Sequence, residues 1–349
     1  MPRQSRIDTP GALQHIIIRG IERKAIFKDD ADRENFVDRL GKLLLDTETT
    51  CYAWALLTNH THLLLRTGAT PVSEVMRRLL TGHAIYFNHR HHRHGHLFQN
   101  RYKSILCEEA AYLKQLVAYI HLNPFRAGIT ENLDALQTYP FTGHCVLMGH
   151  KTMQWQDSDY VLGIFGRTFS KARQQYAAYV SKCAMQGKRS ELTGGGLVRS
   201  AGGWRAVRAA YREGIRLTSD ERILGSSKFV EHTLSKAGED YERRIKLKAA
   251  GIDLDAVIDT VCAQFDVMPE DLSGSSRRLP ICHARRLVSY LAVRELRMSG
   301  AAVARRINVD RSSVSRAIVR VSQEPQLMER VSSVLSVLMP GGKSKDMQQ

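Results

Sequence analysis

Short apolar runs of strand period alternate with helix-period segments over the first 125 residues, and few folds accept the order in which they come. Gln14 to Arg19 (QHIIIR) reads as a strand, and Asp30 to Leu45 as a helix with Phe36, Leu40, Leu43 and Leu44 on one face. Cys51 to Thr58 is a second strand and His60 to Arg66 (HTHLLLR) a third, close enough to pair as a hairpin. Pro71 opens a helix to about Asn88, as proline at a first helical position does. Arg101 to Glu108 is a fourth strand, and Glu109 to Leu122 a helix that Pro124 must end. The order β-α-β-β-α-β-α predicts a ferredoxin-like α+β domain with an antiparallel sheet and one added helix.

A length of 349 residues suggests two or three domains. The Gly- and Ser-rich stretch near 186–204 reads as a linker, and Trp204 to Arg244 as helical with Ser219 or Ser226 as an N-cap. Beyond Gly251 the periodicity gives an all-α, helix-turn-helix-type domain. Its helices are one presenting Val257, Val261 and Phe265, one from Arg285 to Arg297, one from Gly300 to Ile307, and one capped by Asp310 and running to about Ser322. The expected division is therefore 1–150, a helical connector 151–250, and 251–338. Six scattered cysteines without a CxxC pair argue against a disulfide scaffold or zinc ribbon. No apolar run approaches the roughly 18 residues of a membrane helix, so a cytoplasmic, nucleoid-associated protein is expected.

The chain carries 51 Lys and Arg against 35 Asp and Glu, a net charge of +16, which points to a polyanionic partner, nucleic acid first. Histidine is distributed differently: twelve of fourteen lie before residue 151. His60 and His62, two apart on a strand, project from one face while Thr61 points away. Tyr119 and Asn123 in YIHLNP are four apart, on one helical face if the last turn holds, although Pro124 pushes Asn123 towards the helix end. Magnesium or manganese held by two imidazoles and an amide oxygen keeps open positions for catalysis. Two half-exposed strand histidines and a core tyrosine are the plainer alternative, and Tyr112 is the rival nucleophile. Six histidines between His83 and His96 suggest a DNA-contacting or solvated loop more than a second metal site, since no acidic residue or cysteine joins them in sequence.

NHTHLLLR, GHLFQNRYKS and YIHLNPFRAG, in this order and spacing, resemble the single-tyrosine HUH transposases of bacterial insertion sequences, REP-associated tyrosine transposases above all, over about residues 10–145. The resemblance implies His60, His62 and Asn123 as ligands of Mg2+ or Mn2+, and Tyr119 as the nucleophile that attacks single-stranded DNA and forms a 5′-phosphotyrosine. Thr61 departs from the hydrophobic residue usual between the two histidines. Arg101 and Lys103, alternating on the fourth strand, and Arg126 are expected to contact DNA.

Eleven arginines and only two acids lie between Arg277 and Arg320. Gly300 to Ile307, a tight turn and RSSVSRAIVRV have the dimensions of a helix-turn-helix, with Arg311, Ser312, Ser313, Ser315 and Arg316 as candidate contacts and Arg277 and Arg278 flanking. DLSGSSRR followed by ARRLVSYLAVREL resembles the C-terminal DNA-binding domain of the replication initiator DnaA, without the histidine-threonine pair of its recognition helix. The leading expectation is a metal-dependent single-strand endonuclease and strand transferase acting on DNA hairpins, with an appended duplex-binding module, as a monomer or homodimer. The alternatives are a DNA-binding regulator that keeps the fold without using it, and an RNA-binding protein.

Overall fold

The computed structural model describes residues 11–186 except 69, residues 219–339, and residues 7 and 192. Most of the Gly-rich linker and the first part of the expected 204–244 helix lie outside them. The described residues divide into two compact units, one running essentially to Leu234 and one beginning at Ser235.

The first unit is built on a sheet. Its elements are β1 (Leu13–Arg19), α1 (Asp30–Asp46), β2 (Thr50–Leu56), β3 (His60–Arg66), α2 (Val72–Arg90), β4 (Lys103–Cys107) and α3 (Glu109–His121). The sheet order is β2-β3-β1-β4, with all three contacts antiparallel, as in a ferredoxin-like fold. A two-residue strand, β5 (Ile223–Leu224), adds in parallel to β4 and covers what is otherwise an open edge.

Strand alternation divides the sheet's side chains between two cores. Ile16, Ile18, Trp54, Leu63 and Leu65 pack with Phe36 and Leu40 of α1 and with Val75, Met76 and Leu79 of α2. On the other face, Leu13, Ala53, Ala55, Leu64 and Ile105 pack against Leu113, Leu116, Val117 and Ile120 of α3. The added helix thus covers the face opposite α1 and α2, and the HUH-type residues lie beneath it.

Several boundaries differ from expectation. Arg101 precedes β4 instead of alternating on it. α3 ends at His121, before Pro124 as expected, with Asn123 past its end; not foreseen is the short helix α4 (Asn123–Arg126) that follows, with the proline in its first turn, where its missing N–H costs nothing. Residues 219–226 are not helical; the helix is Ser227–Ala249, and Ser226 Oγ accepts from Phe229 N at 3.3 Å.

Thr61 faces the first core, is fully buried, and its hydroxyl has no hydrogen-bond partner among the described residues. A buried hydroxyl left unpaired costs about 1–3 kcal/mol, so the near-isosteric Thr61→Val is expected to raise stability by about 1 kcal/mol, read as a higher urea midpoint at unchanged m-value.

The second unit is helical. Its helices include Leu254–Phe265, Leu279–Arg294, Gly300–Arg306, Arg311–Gln323 and Pro325–Leu338, the last not foreseen. Asp253 and Ser299 cap theirs by accepting from Ala256 N and Ala302 N. Asp310 occupies the N-cap position of Arg311–Gln323 but its side chain makes no cap bond. Val257, Val261, Leu287, Leu291, Val303, Val314 and Ile318 form one core. Among the described residues no helix is long and apolar enough to cross a membrane.

Candidate active site

Antiparallel pairing sets His60 opposite Arg19, His62 opposite Ile17, and Ile17 opposite Lys103. His15, Arg19, His60, His62 and Lys103 therefore share one sheet face. Tyr119 and Asn123 meet them from α3 and the start of α4, and Gln99, Arg101 and Leu192 complete a pocket of about 390 Å³. The four proposed catalytic and ligand residues, with Arg101 and Lys103, are brought together. Tyr112 does not line the pocket.

The hydrogen bonds around the histidines and Asn123 leave particular atoms towards that pocket. His60 Nδ1 bonds Asn59 Oδ1 at 2.6 Å, and His62 Nδ1 bonds His15 Nε2 at 2.8 Å. Each Nε2 is thereby the nitrogen not used for support. Asn123 Nδ2 donates to the carbonyls of Tyr119 and Ile120 at 3.0 and 3.2 Å. Only an amide nitrogen can donate to a carbonyl, so Oδ1 is the atom left for a ligand role. Burial, with Arg19 adding to it, lowers the His60 pKa to about 4, and burial reinforced by His15, His60 and Arg19 holds His62 well below its ordinary value. Both imidazoles are neutral at pH 7, the form a metal requires. Among the described residues no three His, Cys, Asp or Glu side chains form a metal-binding group. The candidate set is instead two imidazoles and one amide oxygen, with outer partners that orient each, and it fits a hard divalent ion with open positions.

The Tyr119 ring lies 6.0 Å from the rings of both His15 and His62, edge-on. Burial raises its phenol pKa, while Arg126 and Arg19 pull the other way. The Arg126 guanidinium lies 5.7 Å from the ring centroid and donates to the Cys183 carbonyl at 3.1 Å, so this expected DNA contact also braces the tyrosine.

A second polar group fixes the end of α3. Tyr176 Oη of helix α8 (Phe169–Met185; α5 to α7 are Leu133–Thr138, Gly143–Met148 and Ser158–Gly163) lies 2.7 Å from both His121 Nδ1 and His144 Nδ1. One hydroxyl can donate to one imidazole and accept from the other, and all three side chains are buried. A Cβ on Gly143 would stand 2.7 Å from His121 Nε2, so only glycine admits this approach. Tyr176→Phe removes both bonds and is expected to cost about 2 kcal/mol in chemical denaturation.

Sequence reasoning missed His15, whose partnership with His62 spans 47 residues. It also misjudged the histidine run. His83 is a core residue whose Nε2 bonds the Ile26 carbonyl at 2.9 Å. His91 does have an acidic partner: Asp32 of α1, fully buried, lies 2.8 Å from its Nε2 and 2.7 Å from Arg90 Nη1. Burial pushes the Asp32 carboxyl up, but hydrogen bonds from the Lys28 backbone, His91 and Arg90 outweigh it and lower its pKa.

In the second unit, Ser315 is buried and is not a surface contact, whereas Ser312 and Arg316 are exposed. Several of the eleven arginines already have partners within the protein. Arg285 donates to the carbonyls of Asp271, Leu272, Gly274 and Ser276, Arg294 is buried, Arg306 pairs with Asp255 at 2.7 Å, and Arg320 pairs with Glu324 at 2.7 Å.

Comparison with known proteins bears on both units. Residues 10–123 match the family model of IS200-like transposases. The matched segment contains NHTHLLLR and GHLFQNRYKS and ends within YIHLNPFRAG, the motifs that carried the resemblance. Residues 254–321 match the helix-turn-helix model of bacterial DnaA proteins. The chromosomal replication initiator protein DnaA of Oleidesulfovibrio alaskensis is 30% identical over 77 residues, which cover 22% of this chain and 17% of that relative's length. A solved structure of a REP-associated tyrosine transposase bound to a REP hairpin aligns with a TM-score of 0.36 and 18% identity, over 44% of this chain and 91% of that one.

Proposed function

We propose that the chain is a single-tyrosine nuclease and strand transferase for single-stranded, hairpin-bearing DNA, with domain 1–150 performing the chemistry, domain 251–338 holding duplex, and 151–250 connecting them. The supporting observation is convergence. Tyr119, two neutral imidazoles and an amide oxygen share one pocket with Arg19, Arg101 and Lys103, a cationic rim suited to a phosphodiester. His60, His62 and Asn123 are the residues to hold Mg2+ or Mn2+, which when bound supplies Lewis-acid polarisation of the scissile phosphate. Arg101 and Lys103 orient the strand. Tyr119 Oη attacks phosphorus, the bond to the 3′ oxygen breaks, and the phenol's proton ends on that oxygen. The products are a 3′-hydroxyl and a 5′-phosphotyrosine that keeps the bond energy for rejoining.

The test is incubation of the full chain with a pool of labelled single-stranded hairpins and magnesium, followed by a denaturing gel. A covalent protein–DNA band is expected; its absence across the pool, with binding intact, leaves the regulator reading in its place.

Duplex binding is assigned to the helix Arg311–Gln323, with Arg311, Ser312, Ser313 and Arg316 at its start and Arg277 and Arg278 at the start of Leu279–Arg294. The support is the helix-turn-helix match together with the exposure of Ser312 and Arg316. Arg316→Ala is expected to lower duplex affinity several-fold and to reduce the slope of log affinity against log salt by about 0.9, one phosphate's share. Anisotropy titrations at several salt concentrations check both numbers, and an unchanged affinity removes Arg316 from the interface.

A further inference from the structure

A second pocket, of about 460 Å³, adjoins the candidate active site and is not used by the reaction described above. Its walls are largely apolar: Leu80 and Ala84 of α2 on one side, Phe98 and Tyr102 on the other, with Asn100 and Arg101 at the rim. The segment that joins the two pockets has an alternating pattern. Gln99, Arg101 and Lys103 line the pocket of the histidines, whereas Phe98, Asn100 and Tyr102 line the apolar one, and Arg101 belongs to both. This segment is not a loose loop. Gln99 N donates to the Arg19 carbonyl at 2.8 Å and Ile21 N to the Leu97 carbonyl at 3.0 Å, which continues the pairing of β1 past the end of β4.

One side of the segment therefore offers cations and amides, and the other offers aromatic rings in a cavity within the about 300–1,000 Å³ range of small-ligand sites. A single nucleic-acid strand has the matching division: charged phosphates along its backbone, and bases with apolar faces and polar edges. We infer that the apolar pocket receives one unstacked base of the single strand whose phosphate lies against Arg101, with Phe98 and Tyr102 as the stacking surface and Asn100 at the base edge. The inference rests on the proposed single-strand substrate and adds a subsite to it. Arg101 is the hinge of the arrangement, since the base and its phosphate are joined by a sugar and must be held a few ångströms apart.

The experiment measures binding of the full chain in EDTA, so that no cleavage occurs, to two fluorescent probes: an oligothymidylate of about twelve nucleotides, and an abasic oligomer of equal phosphate count. Wild type is expected to prefer the thymidylate by about tenfold or more, the size of one stacked base. Ala84→Trp, which fills the pocket from the helix, and Phe98→Ala, which removes the stacking ring, are each expected to reduce that preference several-fold while leaving the abasic probe's affinity near wild type. The ratio of two affinities is insensitive to a misfolded fraction in either variant. Equal binding of both probes by wild type, or retention of its preference in both variants, overturns the inference. Because no bond is broken, an adduct-forming protein with an unchanged ratio sinks the base pocket alone, and an altered ratio without an adduct sinks only the reaction.

Discussion

Tyr119→Phe is expected to abolish covalent attachment to DNA, with adduct formation falling by at least about 10³-fold, while fold and DNA affinity stay near wild type. The phenylalanine ring keeps the contacts to His15, His62 and the Arg126 guanidinium, so only the nucleophilic oxygen is lost. Tyr112→Phe is the matched control, because that half-buried ring of α3 packs against the core and does not line the pocket. Quantitative gels on the two variants check the assignment, and cleavage that survives Tyr119→Phe but not Tyr112→Phe reverses it.

The second large effect concerns the histidines. His60→Ala and His62→Ala are each expected to remove cleavage, and wild-type activity should vanish in EDTA and return with magnesium or manganese, because loss of one imidazole leaves the ion two donors at most. The two variants separate in stability. His60 is half-buried, and its one ring hydrogen bond among those described is to its neighbour Asn59, so its removal costs less. Removing His62 takes the 2.8 Å hydrogen bond from His15 in a buried site, at about 1–3 kcal/mol. Asn123→Ala should impair metal use less. Full activity in EDTA eliminates the metal reading.

The parts of this protein that repeat locally were legible in its sequence, and those that depend on distant partners were not. Period-two alternation placed His60 and His62 on one face and Thr61 on the other, and β3 has the bounds read from HTHLLLR. Helical spacing likewise paired Tyr119 with Asn123, and α3 ends before Pro124 as read, but the short helix that the proline opens was not foreseen, because a proline that cannot continue one helix is well suited to start the next. His15 sits in a run of isoleucines that marks a strand and says nothing of which neighbour its imidazole will meet. The same limit applies to Asp32, which finds His91 from another helix, and to Tyr176, which ties His121 to His144 from a third. Strand β5 has two residues, too few for any periodicity. Charge counts misled in a similar way: Arg285 looks like a phosphate contact in a basic run, yet its guanidinium is used on four backbone carbonyls.

The most direct test of the central claim is the identity of the amino acid joined to DNA. Trypsin cuts after Lys103, Lys114 and Arg126, so Tyr112 falls in the peptide Ser104 to Lys114, and Tyr119 is the only tyrosine in the peptide Gln115 to Arg126. After reaction with a cognate hairpin, nuclease trimming and tryptic digestion, mass spectrometry should find a nucleotide-bearing tyrosine in Gln115 to Arg126 and in no other peptide. A nucleotide on the Ser104 to Lys114 peptide, or on neither, contradicts the assignment of Tyr119 as the residue that carries the DNA.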